Sequence, residues 1–231
     1  MKLLSKGISN AKLAKSDKSN YGYLSMILYL APYNISGTNL CPKSSNGCRS
    51  SCLFTAGLAG SFPMINVRRT NKTRFYLDKR TEFKAQLIRE LSNFEKYCKR
   101  KGKKPCVRLN GTSDIVWEKV MPEVITSFPN IQFYDYTKIF RRFAYDRPDN
   151  YYLVFSRHEK NEEECKQALK LGYNVTVVFN HRKPFPKKFW GYNVVSGDDT
   201  DLRFLDKQGV VVALKAKGKA RKDKTGFVVW N

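Results

Sequence analysis

The chain has 231 residues, 42% hydrophobic and 13% aromatic, which excludes a disordered or fibrous protein and allows one large core. It carries 43 Lys and Arg against 20 Asp and Glu, a net charge of +23. Such an excess attracts polyanions, so nucleic acid is the expected partner and a membrane surface is not, because no basic amphipathic helix stands apart.

Residues 1–22 begin MKLLSKGISNAKLAKSDKSN, basic but without an apolar run of signal-peptide length. They read as a basic N-terminal arm on a single domain spanning 1–231. Residues 23–31 form an apolar run closed by Pro32, the pattern of a buried strand. The run is about half as long as a bilayer span requires. With no leader and no span, the expected location is the cytoplasm, where thiols stay reduced.

The turn-rich stretch LCPKSSNGCRSSC follows, and it holds three of the chain's six cysteines, Cys41, Cys48 and Cys52. Three clustered thiols in a reducing compartment point to a metal. An iron–sulfur cluster on three cysteines leaves one iron open, as in radical S-adenosylmethionine enzymes, although their usual spacing is Cys-x3-Cys-x2-Cys. Zinc is the alternative, with a fourth ligand drawn from Cys98, Cys106, Cys165, His158 or His181.

A long helix is predicted over residues 73–99, because Phe83, Leu87, Leu91, Phe94 and Cys98 fall on one face. Asn71, Lys72 and Thr73 would then sit at its start, where backbone N–H groups favour an anion. Residues 106–110 form a short strand, and Asp114 is placed to cap a helix through Trp117, Val120, Met121, Val124 and Ile125, kinked at Pro122. Strands are predicted at 130–136 and 150–156. A helix over 161–171 follows, opened by Asn161 and Glu164 and closed by Gly172. The series ends with strands at 174–179, 192–197 and 209–215.

Seven strands with helix-length connections predict an α/β fold with a parallel sheet, as a barrel or partial barrel of the TIM type. An open doubly wound sheet is the alternative, weakened because no Gly-rich dinucleotide fingerprint follows any strand. In parallel barrels the loops after the strands build the active site. That rule collects Asn110, Thr112 and Asp114, then Asp135, Arg157 and His158, Asn180 and His181, and finally Asp198, Asp199 and Asp201. Asp114, Asp135 and Asp198 are the candidate catalytic residues, for acid–base or positioning work. Asn110, Thr112, His158 and Asn180 are the candidate substrate-binding residues. Asp198, Asp199 and Asp201 together would suit Mg²⁺ in a nuclease, a minor alternative.

The positive charge falls in patches: Arg68, Arg69, Lys72 and Arg74 in VRRTNKTR; KYCKRKGKK; Arg141 and Arg142 in IFRRFAYDR; Lys187 and Lys188 in HRKPFPKKFWGY; Lys217 and Lys219 in KAKGKARKDK. Interleaved aromatics, Phe140, Phe143 and Tyr145 in one and Phe185, Phe189, Trp190 and Tyr192 in another, suit phosphate neutralisation with base stacking. No zinc-finger, RRM or helix-turn-helix pattern accompanies them.

KGISNAKL, the apolar strand and CPKSSNGCRSSC together resemble the gene-88-like phage proteins, and VRLNGTSD and SGDDTDLRFLDKQGVVVALKAKGKARKD look like further blocks of that family. The resemblance implies a phage origin and a radical-SAM-like barrel, and no established activity. The expected function is a metalloenzyme that modifies a base in DNA or RNA, with DNA favoured. It would use an iron–sulfur cluster with S-adenosylmethionine, or zinc in base exchange of the deazaguanine-transglycosylase kind. The alternative is a non-enzymatic phage nucleic-acid-binding protein stapled by zinc.

Overall fold

The computed structural model describes residues 1–7 and 11–230, so the 8–10 portion of KGISNAKL lies outside the described residues. Its strands are β1 (Leu4–Lys6), β2 (Tyr23–Leu28), β3 (Lys104–Arg108), β4 (Gln132–Thr137), β5 (Tyr151–Ser156), β6 (Val175–Phe179), β7 (Lys188–Phe189), β8 (Tyr192–Ser196) and β9 (Val211–Lys215). They form one sheet in the order β1-β2-β3-β4-β5-β6-β9-β8-β7. The seven expected strands, β2 to β6 with β8 and β9, are all parallel to their neighbours among them. β1 and β7 are short antiparallel additions at the two edges.

The sheet is open among the described residues, with β1 and β7 as its ends, so a closed barrel is not formed. Nor is it doubly wound in the usual sense. From β2 to β6 each new strand adds on the same side of the last, whereas a doubly wound sheet reverses near its middle.

The helices are α1 (Ala11–Lys18), α2 (Asn46–Ser50), α3 (Leu58–Ser61), α4 (Pro63–Asp78), α5 (Arg80–Arg100), α6 (Trp117–Val120), α7 (Glu123–Thr126) and α8 (Glu162–Lys170). Alternating strand residues divide the interior into two layers. On one face Phe83, Leu87, Leu91 and Phe94 of α5 share a core with Val107, Phe133, Phe155 and Val177. On the other, Ile27, Cys106 and Tyr134 lie in a smaller cluster with Leu13 of α1 and Leu202. The segment read as a basic arm is therefore part of the fold: Leu3, Leu4 and Leu13 are buried, and β1 is laddered to β2.

Three helix expectations need correction. The helix read over 73–99 is two helices, α4 and α5, separated at Lys79, whose backbone (φ −135°, ψ 60°) is not helical. Asn71, Lys72 and Thr73 lie inside α4, where their N–H groups are spent on the helix, so there is no helix-start anion site at these residues. Pro122 separates α6 from α7, and Asp114 caps neither; Val116 occupies the cap position of α6 without a side-chain bond. Asn161 does precede α8, but its side chain spans the turn between Ser156 and His158 instead of capping the helix. No helix among the described residues is long and apolar enough to cross a membrane.

Candidate active site

The loop after β2 carries the clustered cysteines, and four side chains fix its path. Ser45 caps α2 by accepting from the Cys48 N–H at 3.1 Å, and its hydroxyl donates to Glu159 Oε2 at 2.6 Å. The Gly47 N–H donates to Glu159 Oε1 at 2.8 Å. A side chain at position 47 would collide with Glu159, Thr225 and Phe227, so glycine is required by close approach. Ser51 donates to Asp223 Oδ1 at 3.5 Å, tying the far end of α2 to the C-terminal segment.

Held this way, Cys41, Cys48 and Cys52 line one cavity of about 220 Å³, together with Asp114, Asp198 and Lys138. The cavity lies over the C-terminal ends of the parallel strands. Cys41 Sγ donates to the Thr112 carbonyl at 3.6 Å. Burial pushes the Cys41 thiol up to about 12 and raises Cys52 as well. Lys138 faces the thiols and Asp114: its Nζ donates to Ser156 Oγ at 3.1 Å and its N–H to Asp114 Oδ2 at 2.8 Å. Burial works against its charge, and Cys48, Asp114, Cys41 and Cys52 more than reverse that, raising its pKa.

The three predicted catalytic aspartates divide. Asp114 lines the cavity, with burial raising its pKa against the pull of Arg142 and Lys138. Asp198 lines it too, accepting from the Lys215 N–H at 2.9 Å and pairing with Lys217 at 3.3 Å. Asp135 does not reach it. On β4 it shares the face of Phe133, and its carboxylate accepts from the Asn110 N–H (2.7 Å), Asn110 Nδ2 (3.0 Å) and Tyr151 OH (2.7 Å). Burial lifts Asp135 to about 7. The Asp198, Asp199 and Asp201 trio is not a metal cluster: Asp199 is exposed, and Asp201 is buried under Arg108, Lys12, Tyr134 and Tyr136.

Of the predicted substrate-binding residues, Thr112 and Asn110 border the cavity, but Asn110 is saturated. Its Oδ1 accepts from Ser113, Ile115 and Trp117 while its Nδ2 donates to Ile115 and Asp135. It shapes the NGTSD turn. His158 and Asn180 are buried outside the cavity lining; burial, reinforced by Lys138, drives His158 down to about 4.

The predicted cations also divide. Arg142 is fully buried, with two bonds to Glu118 at 2.9 and 2.7 Å, one to Asp114 at 3.2 Å and one to Tyr151 at 2.9 Å. It cannot touch nucleic acid, and Phe143 beside it packs on Phe155 in the core. Arg141, Lys187 and Lys188 are exposed and line neither cavity described here. Arg68, Arg69 and Lys72 border a second cavity of about 1070 Å³ that adjoins the first and shares Lys12, Arg108, Thr112 and Lys217 with it. Arg74 and Lys219 lie beside a shallower recess.

Sequence reasoning missed Lys138, Glu159, Lys12 and Arg108. Lys138 had an available signal, since it directly follows a predicted strand. Among the described residues no three His, Cys, Asp or Glu side chains close on one point as a single ion requires. The three thiols remain the soft donors of this wall. A sequence model of the family described as Gene product 88 matches residues 2–230. No curated protein and no solved structure matches the chain significantly.

Proposed function

We propose a function for a chain that belongs to the Gene product 88 family, a phage protein family: it modifies a base of a nucleic acid, DNA before RNA, at the thiol-lined cavity. The observation that carries this reading is convergence. Three cysteines from one loop and two carboxylates, Asp114 and Asp198, from loops far apart in the chain border the same small cavity, and a larger basic cavity adjoins it. A base fits the first and a phosphate backbone the second.

The one-directional winding from β2 to β6 supports a partial barrel of the radical-SAM-like type as the finer description. Cys41, Cys48 and Cys52 would hold an iron–sulfur cluster, which supplies one-electron chemistry with S-adenosylmethionine when bound. Three thiols on one cavity wall suit a cluster, which three cysteines can hold, whereas one zinc ion draws four ligands to about 2.0–2.3 Å. Asp114, oriented by Arg142 and the Lys138 N–H, and Asp198, oriented by Lys215, would orient the base or hold its proton. Zinc readings, whether base exchange or a non-enzymatic binder, find less support. Cys98, Cys106 and Cys165 are buried in the core, and neither His158 nor His181 lines the cavity that holds the thiols. The cytoplasm of the host cell is the proposed location.

Anaerobic purification followed by iron, sulfide and zinc analysis tests the cofactor. Mass spectrometry of nucleosides from DNA and RNA incubated with wild type or Asp114→Asn tests the reaction. Stoichiometric iron and sulfide that vanish in Cys48→Ser, with a new nucleoside lost in Asp114→Asn, are expected. A colourless protein with zinc, and unaltered nucleosides, would refute the reading.

A further inference from the structure

Helix α4 turns two cations inward. Arg69 and Lys72 are each only 8% exposed, one helical turn apart. Lys72 is satisfied: its Nζ donates to the Leu3 carbonyl at 2.6 Å. Arg69 is not. Its Nε and Nη1 are buried with no hydrogen-bond partner among the described residues. The guanidinium lies over the Tyr29 ring at 4.5 Å and the Phe54 ring at 5.6 Å. No Asp or Glu is among the groups acting on it.

An arginine stays protonated in proteins, and a buried cation without an anion is unfavourable. The surroundings deepen the deficit. Arg69 borders the larger cavity with Lys2, Lys6, Arg68, Lys72 and Arg108, and the acid in that lining, Asp201, is already paired with Arg108 and Lys12. A cationic cavity whose central fork has open donors is built for an anion from outside the chain. The aromatic faces of Tyr29 and Phe54 fix the guanidinium plane, so the unpartnered N–H groups have set directions in which to meet a phosphate oxygen.

We propose that Arg69 centres a phosphate site: its guanidinium donates to an oxygen of one nucleotide phosphate, in a strand that crosses the larger cavity and turns its base toward the thiols. The nucleotide assignment rests on the proposed function; the anion site does not. A polymer phosphodiester and a free nucleotide offer the same chemistry, and the probes separate them.

The experiment uses the full-length wild type, Arg69→Met, Arg69→Lys and the exposed control Arg89→Met, with inorganic pyrophosphate, thymidine monophosphate and a fluorescent single-stranded oligothymidylate as probes. Arg69→Met should weaken phosphate and oligonucleotide binding by about tenfold or more. It should also reduce the salt dependence of oligonucleotide binding by about one phosphate contact. Arg69→Lys should fall between, and Arg89→Met should match wild type. Without ligand, Arg69→Met should melt at or above the wild-type temperature, because it removes an unpaired buried charge; pyrophosphate should then stabilise wild type and not the variant. Unchanged affinity and salt dependence in a folded Arg69→Met, or a lowered melting temperature without ligand, would overturn the site. Arg69-dependent binding of pyrophosphate or monophosphate without oligonucleotide binding keeps the site and removes the nucleic-acid reading. Oligonucleotide binding equal in wild type and Arg69→Met does the reverse.

Discussion

Arg141 and Arg142 are adjacent, identical in charge and opposite in role, and replacing each by methionine separates the roles. Arg142 is fully buried and bonded to Glu118, Asp114 and Tyr151. Deleting it leaves two carboxylates in the interior without their cation. Breaking a buried pair in this way costs about 3–5 kcal/mol, from a total near 5–15 kcal/mol for a domain. At about 2–4 °C per kcal/mol for this chain length, the melting temperature should fall by about 6–20 °C. The loss should also depend on pH. Burial already raises the Asp114 pKa and Arg142 opposes that rise, so without Arg142 it climbs further, and the variant is least impaired at acid pH and loses stability as pH rises. Arg141 is exposed, and Arg141→Met should move stability by less than about 0.5 kcal/mol. Urea unfolding at several pH values, with unchanged slope, measures both variants. An Arg142→Met protein within 1 kcal/mol of wild type that has instead lost salt dependence in oligonucleotide binding would refute the burial argument.

Asp135 supplies a second test. Its folded pKa of about 7 lies above the ordinary 3.8, so the folded state holds the proton more tightly. The associated stability is complete below about pH 4 and lost as pH rises through about 7, a swing of up to about 4 kcal/mol. Asp135→Asn should remove that slope, read as the wild-type-minus-variant difference in urea midpoints; a constant difference across the window would count against it. Gly47→Ala tests the cysteine loop: the added carbon would meet Glu159 Oε2 at 2.7 Å and Phe227 Cβ at 2.8 Å. It should cost about 1–3 kcal/mol and make Cys48 more reactive to thiol reagents, and wild-type stability and labelling rates would contradict the close approach.

The parallel core was legible because its strands are apolar runs bounded by turns, and hydrophobic burial dominates their placement. The two edge strands were not. Leu4–Lys6 and Lys188–Phe189 have three and two residues, too few for a period to show. The first part of α4, before residue 73, was missed for a different reason. The buried face of α4 is Arg69, Lys72, Thr73 and Tyr76, so a search for apolar residues at helical spacing starts only where α5 begins. Pro122 acted more strongly than a kink, because the short segments on either side had little helix to lose.

For the site, the rule that strand ends gather active-site loops brought the thiols, Asp114 and Asp198 to one cavity, but it ignores which way each side chain points. Parity along β4 carries that information: Asp135 is two residues from Phe133 and therefore faces the helices, while Tyr134 and Tyr136 face Asp201. Charge counting fails for a similar reason, since it treats every lysine and arginine as a surface group. Arg142 and Arg69 are both buried, and what separates them is their partners. Glu118 and Asp114, distant in the chain, come to Arg142 only through the fold, and no carboxylate of the described residues comes to Arg69. A buried cation whose anion the chain supplies holds the fold together. A buried cation whose anion the chain withholds leaves its hydrogen bonds to be completed by something that binds, and the distinction is visible only in three dimensions.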